Sequence, residues 1–228
     1  MSETLTAPVV ELVVFDFDGT LFDSTHAITQ AIRAAAVDLG LPEPSRERAS
    51  HVIGLGLADA LRYAVPTLRE SQVPAYIERY RFHWFQRQGE LSAFDGIEAL
   101  LDALAGRGVP LAIATGKSRI GLNRALEQVG WSRRFLTTRC ADEGEPKPHP
   151  WMLRDISEET RIALERTVMI GDTTHDLDMA RSAGAHAIAV TYGAHPAERL
   201  RASEPLAVVD DVAALQDILL TLTGSAHG

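Results

Sequence analysis

Five consecutive residues, Asp16-Phe17-Asp18-Gly19-Thr20, concentrate the chemistry of this 228-residue chain. They follow an apolar run, Leu12-Val13-Val14-Phe15, that reads as a buried strand. Two carboxylates leaving an apolar interior together must be paired, protonated or bound to metal. A divalent cation at the strand end would satisfy them and leave one carboxylate free to attack an electrophile. Asp16 and Asp18 are two residues apart, so their side chains can project to one side of an extended chain. Gly19 then lets the backbone turn sharply. Thr20 either holds that loop by hydrogen bonds or simply turns the chain.

Three later segments carry matching chemistry. Thr115-Gly116-Lys117-Ser118 follows the apolar run Leu111-Ala112-Ile113-Ala114. Gly171-Asp172-Thr173-Thr174-His175-Asp176 follows Val168-Met169-Ile170. Glu145-Pro146-Lys147-Pro148 is a loop stiffened by prolines on both sides of a lysine. The chain has 22 basic residues, of which only Lys117 and Lys147 are lysines. Against that arginine bias, a compact ammonium stands out, and both lysines fall in these loops. Together the four segments offer carboxylates, ammonium groups, hydroxyls and glycine amides. That inventory suits transfer of a phosphoryl group through an aspartyl intermediate, where catalysis is mostly positioning and electrostatics.

The elements that must position them read as follows. From Ser24 to about Gln88 the chain is helical. Ser24 caps a helix over 26–39 that Gly40 closes, Pro42-Glu43-Pro44 is a linker, and helices follow over 58–65 and 74–88. Beyond Phe94, helices over 97–105, 119–129, 149–158, 174–183 and 212–222 alternate with strands over 109–114, 135–139, 167–170, 187–190 and 206–209. Apolar strands alternating with helices make an α/β core, a Rossmann-like parallel sheet covered on both faces. Ligands of such sheets bind beyond the carboxyl ends of the strands, which is where all four segments lie. The reading divides the chain into a core of residues 1–22 and 93–228 and a small all-helical insert of residues 23–92.

Composition narrows the function. A net charge of −9 argues against a nucleic-acid partner. No apolar run approaches membrane-spanning length, and Met1-Ser2-Glu3-Thr4 lacks the basic start of a signal peptide. A lone cysteine, Cys140, allows no internal disulfide and points to a reducing compartment, so a cytoplasmic protein is expected. The eight histidines show no ligand spacing, which disfavours zinc. His175 reads as an exposed loop residue. Gly54-Leu55-Gly56 reads as a turn between helices, and Trp84 and Phe85 as core residues of their helix.

With these four motifs in order, and Asp23-Ser24 just after the first, the chain resembles the haloacid dehalogenase superfamily. The likeness is to the phosphatase branch that includes phosphoglycolate phosphatase. It covers nearly the whole sequence. It implies that Asp16 is the nucleophile and Asp18 the general acid and base. It implies that Thr115, Gly116 and Lys147 hold the phosphoryl group, Thr115 and Lys147 with catalytic roles. Magnesium would be held by Asp16, by the Asp18 backbone carbonyl and by Asp172, with Asp176 one remove away orienting water or Lys147. The helical insert would be a cap that closes on a small phosphorylated metabolite, with 2-phosphoglycolate the first substrate to consider. An aspartate at position 18 favours phosphate chemistry over dehalogenation, and a lysine-free cap disfavours a Schiff-base hydrolase. Pyrophosphatase, nucleotidase, phosphosugar mutase and a non-catalytic binding protein stay open, as do monomer and homodimer. The stretch Ala93-Phe94-Asp95-Gly96 lacks the proline common there in the family.

Overall fold

The protein is described from a computed structural model, which covers residues 8–87 and 91–224. The chain start and position 88, where a helix was expected to end, lie outside those residues. Six strands form one parallel sheet: β1 (Leu12–Phe15), β2 (Leu111–Thr115), β3 (Thr137–Cys140), β4 (Thr167–Gly171), β5 (His186–Val190) and β6 (Ala207–Val209). Their spatial order is β3-β2-β1-β4-β5-β6. The chain therefore reverses direction across the sheet between β1 and β4. That topological switch leaves a crevice beyond the carboxyl ends of the two strands.

Register places the crevice residues. Phe15 pairs with Ile113 of β2 on one side and with Ile170 of β4 on the other. The next residues along, near Asp16, Thr115 and Asp172, thus emerge side by side. β1 can sit centrally because all four of its residues are apolar and buried. Val13 and Phe15 pack on α5 (Ile97–Gly106) and α10 (Val212–Leu222), through Ile97, Leu101 and Leu215. Leu12 and Val14 face the opposite layer, through Met152 and Leu153 of α7 (Trp151–Thr160) and Leu177 of α8 (Thr174–Ala183). The remaining core helices are α6 (Arg119–Gln128) and α9 (Ala197–Ala202).

Four helices lie outside this core: α1 (Thr25–Asp38), α2 (Arg46–His51), α3 (Leu57–Ala64) and α4 (Val73–Arg87). They share their own apolar centre, where Ile32, Val52, Leu61 and Tyr76 are buried. The Tyr76 hydroxyl donates to the Ile32 carbonyl at 2.9 Å, which ties α4 to α1. The two chain segments joining these helices to the core run side by side. Phe22 bridges Ala93 in antiparallel fashion, and the Asp23 N–H donates to the Ser92 carbonyl at 3.0 Å.

Two helices were not anticipated, α2 and α9. Each has six residues, too few for a helical period to show against its surroundings. β2 begins at Leu111 rather than 109, directly after Pro110, which has no N–H for the ladder. α7 begins at Trp151, with Pro150 just before it rather than inside it. Among the described residues no helix is long and apolar enough to cross a membrane.

Candidate active site

Asp16 leaves β1 with its N–H donating to the Ile170 carbonyl of β4 at 2.8 Å. That bond aims its carboxylate at the crevice. Lys147 reaches in from the loop after β3 and bridges two carboxylates. Its Nζ donates to Asp16 Oδ1 at 2.7 Å and to Asp176 Oδ1 at 2.6 Å. Asp176 is then held from behind, because its Oδ2 accepts from the Thr173 N–H at 3.1 Å and from Thr173 Oγ1 at 2.7 Å. This reciprocal cap is what starts α8. Asp172 accepts from Thr20 Oγ1 at 3.0 Å on one oxygen and from the Ala194 N–H at 2.6 Å on the other. Close approach here depends on two glycines. A Cβ at Gly19 (φ +85°) or at Gly193 would sit 2.2 Å from Asp172 Oδ2.

Carboxylate oxygens of Asp16, Asp172 and Asp176 all lie within 4.8 Å of one another. The three side chains and Lys147 are buried. Burial pushes the Asp16 carboxyl up to about 7, with Asp176 and Asp18 adding to the rise and Lys147 opposing it. Burial also raises Asp172 well above the ordinary carboxylate range, reinforced by Asp16 and Asp176. Burial works against the Lys147 ammonium, but the Asp16 and Asp176 carboxylates outweigh it and hold its pKa above the usual lysine value. Three carboxylates and one ammonium leave about two negative charges uncompensated in a dry site, a costly arrangement. Asp16 Oδ2 is the one buried side-chain polar atom without a hydrogen-bond partner among the described residues. Excess charge of two and an oxygen-only donor set fit a bound divalent cation such as magnesium. Asp16 Oδ1 accepts from Lys147 alone and each Asp172 oxygen accepts one neutral donor, so both residues keep a lone pair to give it. Asp176 takes the lysine ammonium on Oδ1 and two Thr173 donors on Oδ2, so its part is to hold the lysine.

Asp18 sits at the edge of the crevice. Its Oδ1 accepts from Ser24 Oγ at 2.6 Å and pairs with Lys117 Nζ at 3.0 Å. Lys117 in turn lies over two rings, 4.8 Å from the centroid of Trp84 and 5.3 Å from that of Phe17. Thr115 ends β2 and is buried. Its Oγ1 accepts from the Lys117 N–H at 3.2 Å, leaving its own proton to donate. Ser118, not Thr115, caps α6. Gly116 carries the cap: a Cβ there would lie 2.6 Å from the Gly54 carbonyl oxygen and 2.7 Å from that of Leu55. The Gly54-Leu55-Gly56 turn, read chiefly as a link between helices, therefore rests on the loop that follows β2. Phe85 is exposed, and Trp84 packs partly buried against the cap's apolar centre. Both line a cavity of about 630 Å³ that opens from Asp16 and Asp18 up into the cap.

A second contact between cap and core was invisible in the sequence. His51 at the end of α2 meets His175 and His195 of the core. Its carbonyl accepts from His175 Nε2 at 2.9 Å and from His195 Nε2 at 3.0 Å. The Thr174 N–H donates to His195 Nδ1 at 3.0 Å. That bond fixes the His195 proton on Nε2 and leaves no lone pair for a metal. His175, expected to be exposed, is partly buried in this latch. The latch joins residues 124 and 144 positions apart, and no local pattern reports such a pairing.

The switch point of this Rossmann-like sheet thus presents a buried carboxylate with one free oxygen, a lysine bridging two carboxylates, and three acids that could hold a divalent cation. The chain belongs to the haloacid dehalogenase-like hydrolases, whose family pattern it matches over residues 13–190, and it is a phosphatase of that superfamily. It is 36% identical to a probable phosphatase, IndB, of Dickeya dadantii, over 94% of this chain and 96% of that one. It is 33% identical to a 5'-nucleotidase of Pseudomonas aeruginosa, covering 91% and 94% of the two chains. A phosphoglycolate phosphatase of Agrobacterium fabrum is 31% identical, with 93% of each chain covered.

Proposed function

We propose that this protein hydrolyses a soluble phosphomonoester through an aspartyl-phosphate formed on Asp16, with magnesium bound between Asp16, Asp172 and the Asp18 backbone carbonyl. The observation that carries the reading is the split state of Asp16: Oδ1 is fixed by Lys147, and Oδ2 is buried and free. Asp16 Oδ2 attacks phosphorus and the bond from phosphorus to the ester oxygen breaks. Both contacts of Asp18 fall on Oδ1, which leaves Oδ2 as the atom that delivers a proton to the departing alkoxide. Asp18 then takes a proton from water. The water oxygen attacks phosphorus, the bond to Asp16 breaks, and phosphate leaves with the Asp16 carboxylate restored. Lys147, the Thr115 hydroxyl and the Gly116 amide hold the equatorial oxygens, which bear charge throughout. Magnesium, when bound, supplies charge neutralisation at the phosphoryl oxygens.

The test is direct. Protein mixed with a labelled phosphomonoester and quenched in acid should retain label on Asp16. Wild-type turnover should stop on chelation and return with magnesium, and Asp16→Asn should neither turn over nor retain label. Turnover in Asp16→Asn would end the proposal. The partner is a small phosphorylated metabolite, with no nucleic acid or membrane involved. A lone, buried Cys140 that forms no disulfide is the feature that supports a cytoplasmic setting. The named relatives act on different phosphomonoesters, so 2-phosphoglycolate is one substrate to assay among several.

A further inference from the structure

We propose that the leaving group of the substrate is a large, flat-faced group carrying an aromatic ring, held under the cap against Trp84 and Tyr80. The inference rests on the phosphatase reading above and specifies its substrate class. Three observations support it. The first is size. The cavity of about 630 Å³ falls within the range of about 300–1,000 Å³ for pockets that enclose drug-sized ligands. A two-carbon acid would leave most of it to water, which a phosphoryl-transfer site gains by excluding.

The second observation is how polarity is distributed. Charge gathers at one end, where Asp16, Asp18 and Lys117 meet. Away from that end the wall is mostly apolar, built by residues such as Ile53, Leu55 and Ile77, with Asp59, Gln128 and Asp142 among its polar members. Cap cations are mostly spent elsewhere: Arg62 pairs with Asp59 and Glu70, Arg79 with Asp38, and Arg33 with Glu43. Of the two arginines that reach the cavity, Arg81 and Arg124, both are exposed, and Arg124 lies over Phe85, 4.9 Å from its centroid. A leaving group bearing its own carboxylate would thus face apolar wall without a buried cation. A ring would instead gain from covering that wall.

The third observation is the pair of aromatic side chains one turn apart on α4. Trp84 is half-buried and already holds the Lys117 ammonium against its face, so an aromatic surface stands beside the acid that protonates the leaving group. Tyr80 lines the same cavity and sits close enough to Asp18 for that charge to help raise its hydroxyl pKa, chiefly through burial. Its hydroxyl makes no hydrogen bond among the described residues, and offers one polar contact to the ring or its substituents. Two chemistries share these needs, an aryl phosphate and a nucleoside 5'-monophosphate.

The experiment compares kcat/KM for 1-naphthyl phosphate, adenosine 5'-monophosphate and 2-phosphoglycolate with magnesium present. The ring-bearing substrates should exceed 2-phosphoglycolate by about tenfold or more, since each well-filled apolar contact discriminates at that level. Whichever of the two ring-bearing esters is faster identifies the source of the ring. Trp84→Ala should narrow the ratio of ring-bearing substrate to 2-phosphoglycolate, and Trp84→Phe should restore it. Equal or better use of 2-phosphoglycolate, in a protein whose activity still requires Asp16, would overturn the substrate class and leave the phosphatase intact. A folded protein with no Asp16-dependent turnover of any of the three would overturn both.

Discussion

The core crevice opens directly into the cap cavity, yet the two are built on opposite rules. In the crevice, charges crowd together and nearly every polar atom is tied. Asp16, Asp176 and Lys147 are buried and bonded together, Asp172 beside them is held by Thr20 and the Ala194 N–H, and only Asp16 Oδ2 is left without a donor. In the cavity, the walls are mostly apolar and the cap's charged groups mostly turn outward to pair on its surface. Strand register positions the first set, so their geometry is as rigid as the sheet. Helix packing positions the second, on a unit joined to the core by two paired segments. On the proposed reading the division separates reaction from selection: the crevice would treat every phosphomonoester alike, and the cavity would decide which one enters.

The sharpest way to break that division is at Asp16. Asp16→Asn should lower kcat/KM by at least about 10³-fold for every substrate, as removal of a nucleophile does elsewhere. Because it also removes one of three crowded buried charges, its unfolding midpoint in metal-free buffer should stay level or rise. A loss confined to some substrates would show that the core takes part in selection. Lys147→Met should act the opposite way on stability. It strands the Asp16 and Asp176 carboxylates, and removing one partner of a buried ion pair costs about 3–5 kcal/mol. Urea unfolding at neutral pH measures it. Arg62→Ala, which breaks an equally short but exposed pair, should leave the midpoint nearly unchanged.

Most of the crevice was legible in the sequence, and for a physical reason. Buried parallel strands are short apolar runs, and polar residues directly after them can only lie at the carboxyl edge of the sheet. Asp16, Asp18, Thr115 and Asp172 could therefore be located without knowing the strand order. What could not be read was who bonds to whom. Thr20 reaches Asp172 across 152 positions. The loop after β5 supplies Ala194 and the Cβ-free Gly193 to the same carboxylate; Tyr-Gly-Ala after an apolar strand was a signal, passed over because it carries no charge. Ser24 Oγ donates to Asp18 rather than accepting a cap bond from the first turn of α1. In the cap, periodicity found the three longer helices but not which face of α4 meets the core. Trp84 was accordingly assigned to the interior, whereas it packs at the margin of the cap's apolar centre and also lines the cavity.

Between the two regions lies Gly116, and a methyl group there tests whether they act together. The Cβ of Gly116→Ala would meet the carbonyls of Gly54 and Leu55 at 2.6 and 2.7 Å. Both are backbone atoms, so the cap turn must retreat. The crevice contacts of Asp16, Asp172 and Lys147 are untouched by that retreat. Displacing a positioning element by about an ångström costs up to roughly a hundredfold in rate. The expected result is a fall in kcat/KM of about ten- to a hundredfold with the unfolding midpoint held. A fall no greater than twofold would mean that the cap need not close for catalysis.

The smallest effect is expected at the histidine latch, and it is read as a slope. Burial lowers the His195 pKa from 6.5 to about 4, with His175 and His51 adding to the fall and the His51 carbonyl opposing it. Unfolded, the ring takes its proton near 6.5; folded, it refuses it until about 4. Between those values the unfolded state binds more protons. Stability is thus full above pH 6.5 and is lost as pH falls toward 4, by up to about 1.4 kcal/mol per pH unit for this one group. Below 4 both states are protonated and the loss levels off. His195→Asn should lower stability at pH 7 slightly, by one buried hydrogen bond, and should flatten the pH dependence between 6.5 and 4 by close to one proton. Unfolding at a series of pH values resolves the two effects, because the bond changes the height of the curve and the titration changes its gradient. An unchanged gradient would show that His195 opens to water with the cap, so that the latch is loose at the moment when the crevice beneath it is held fast.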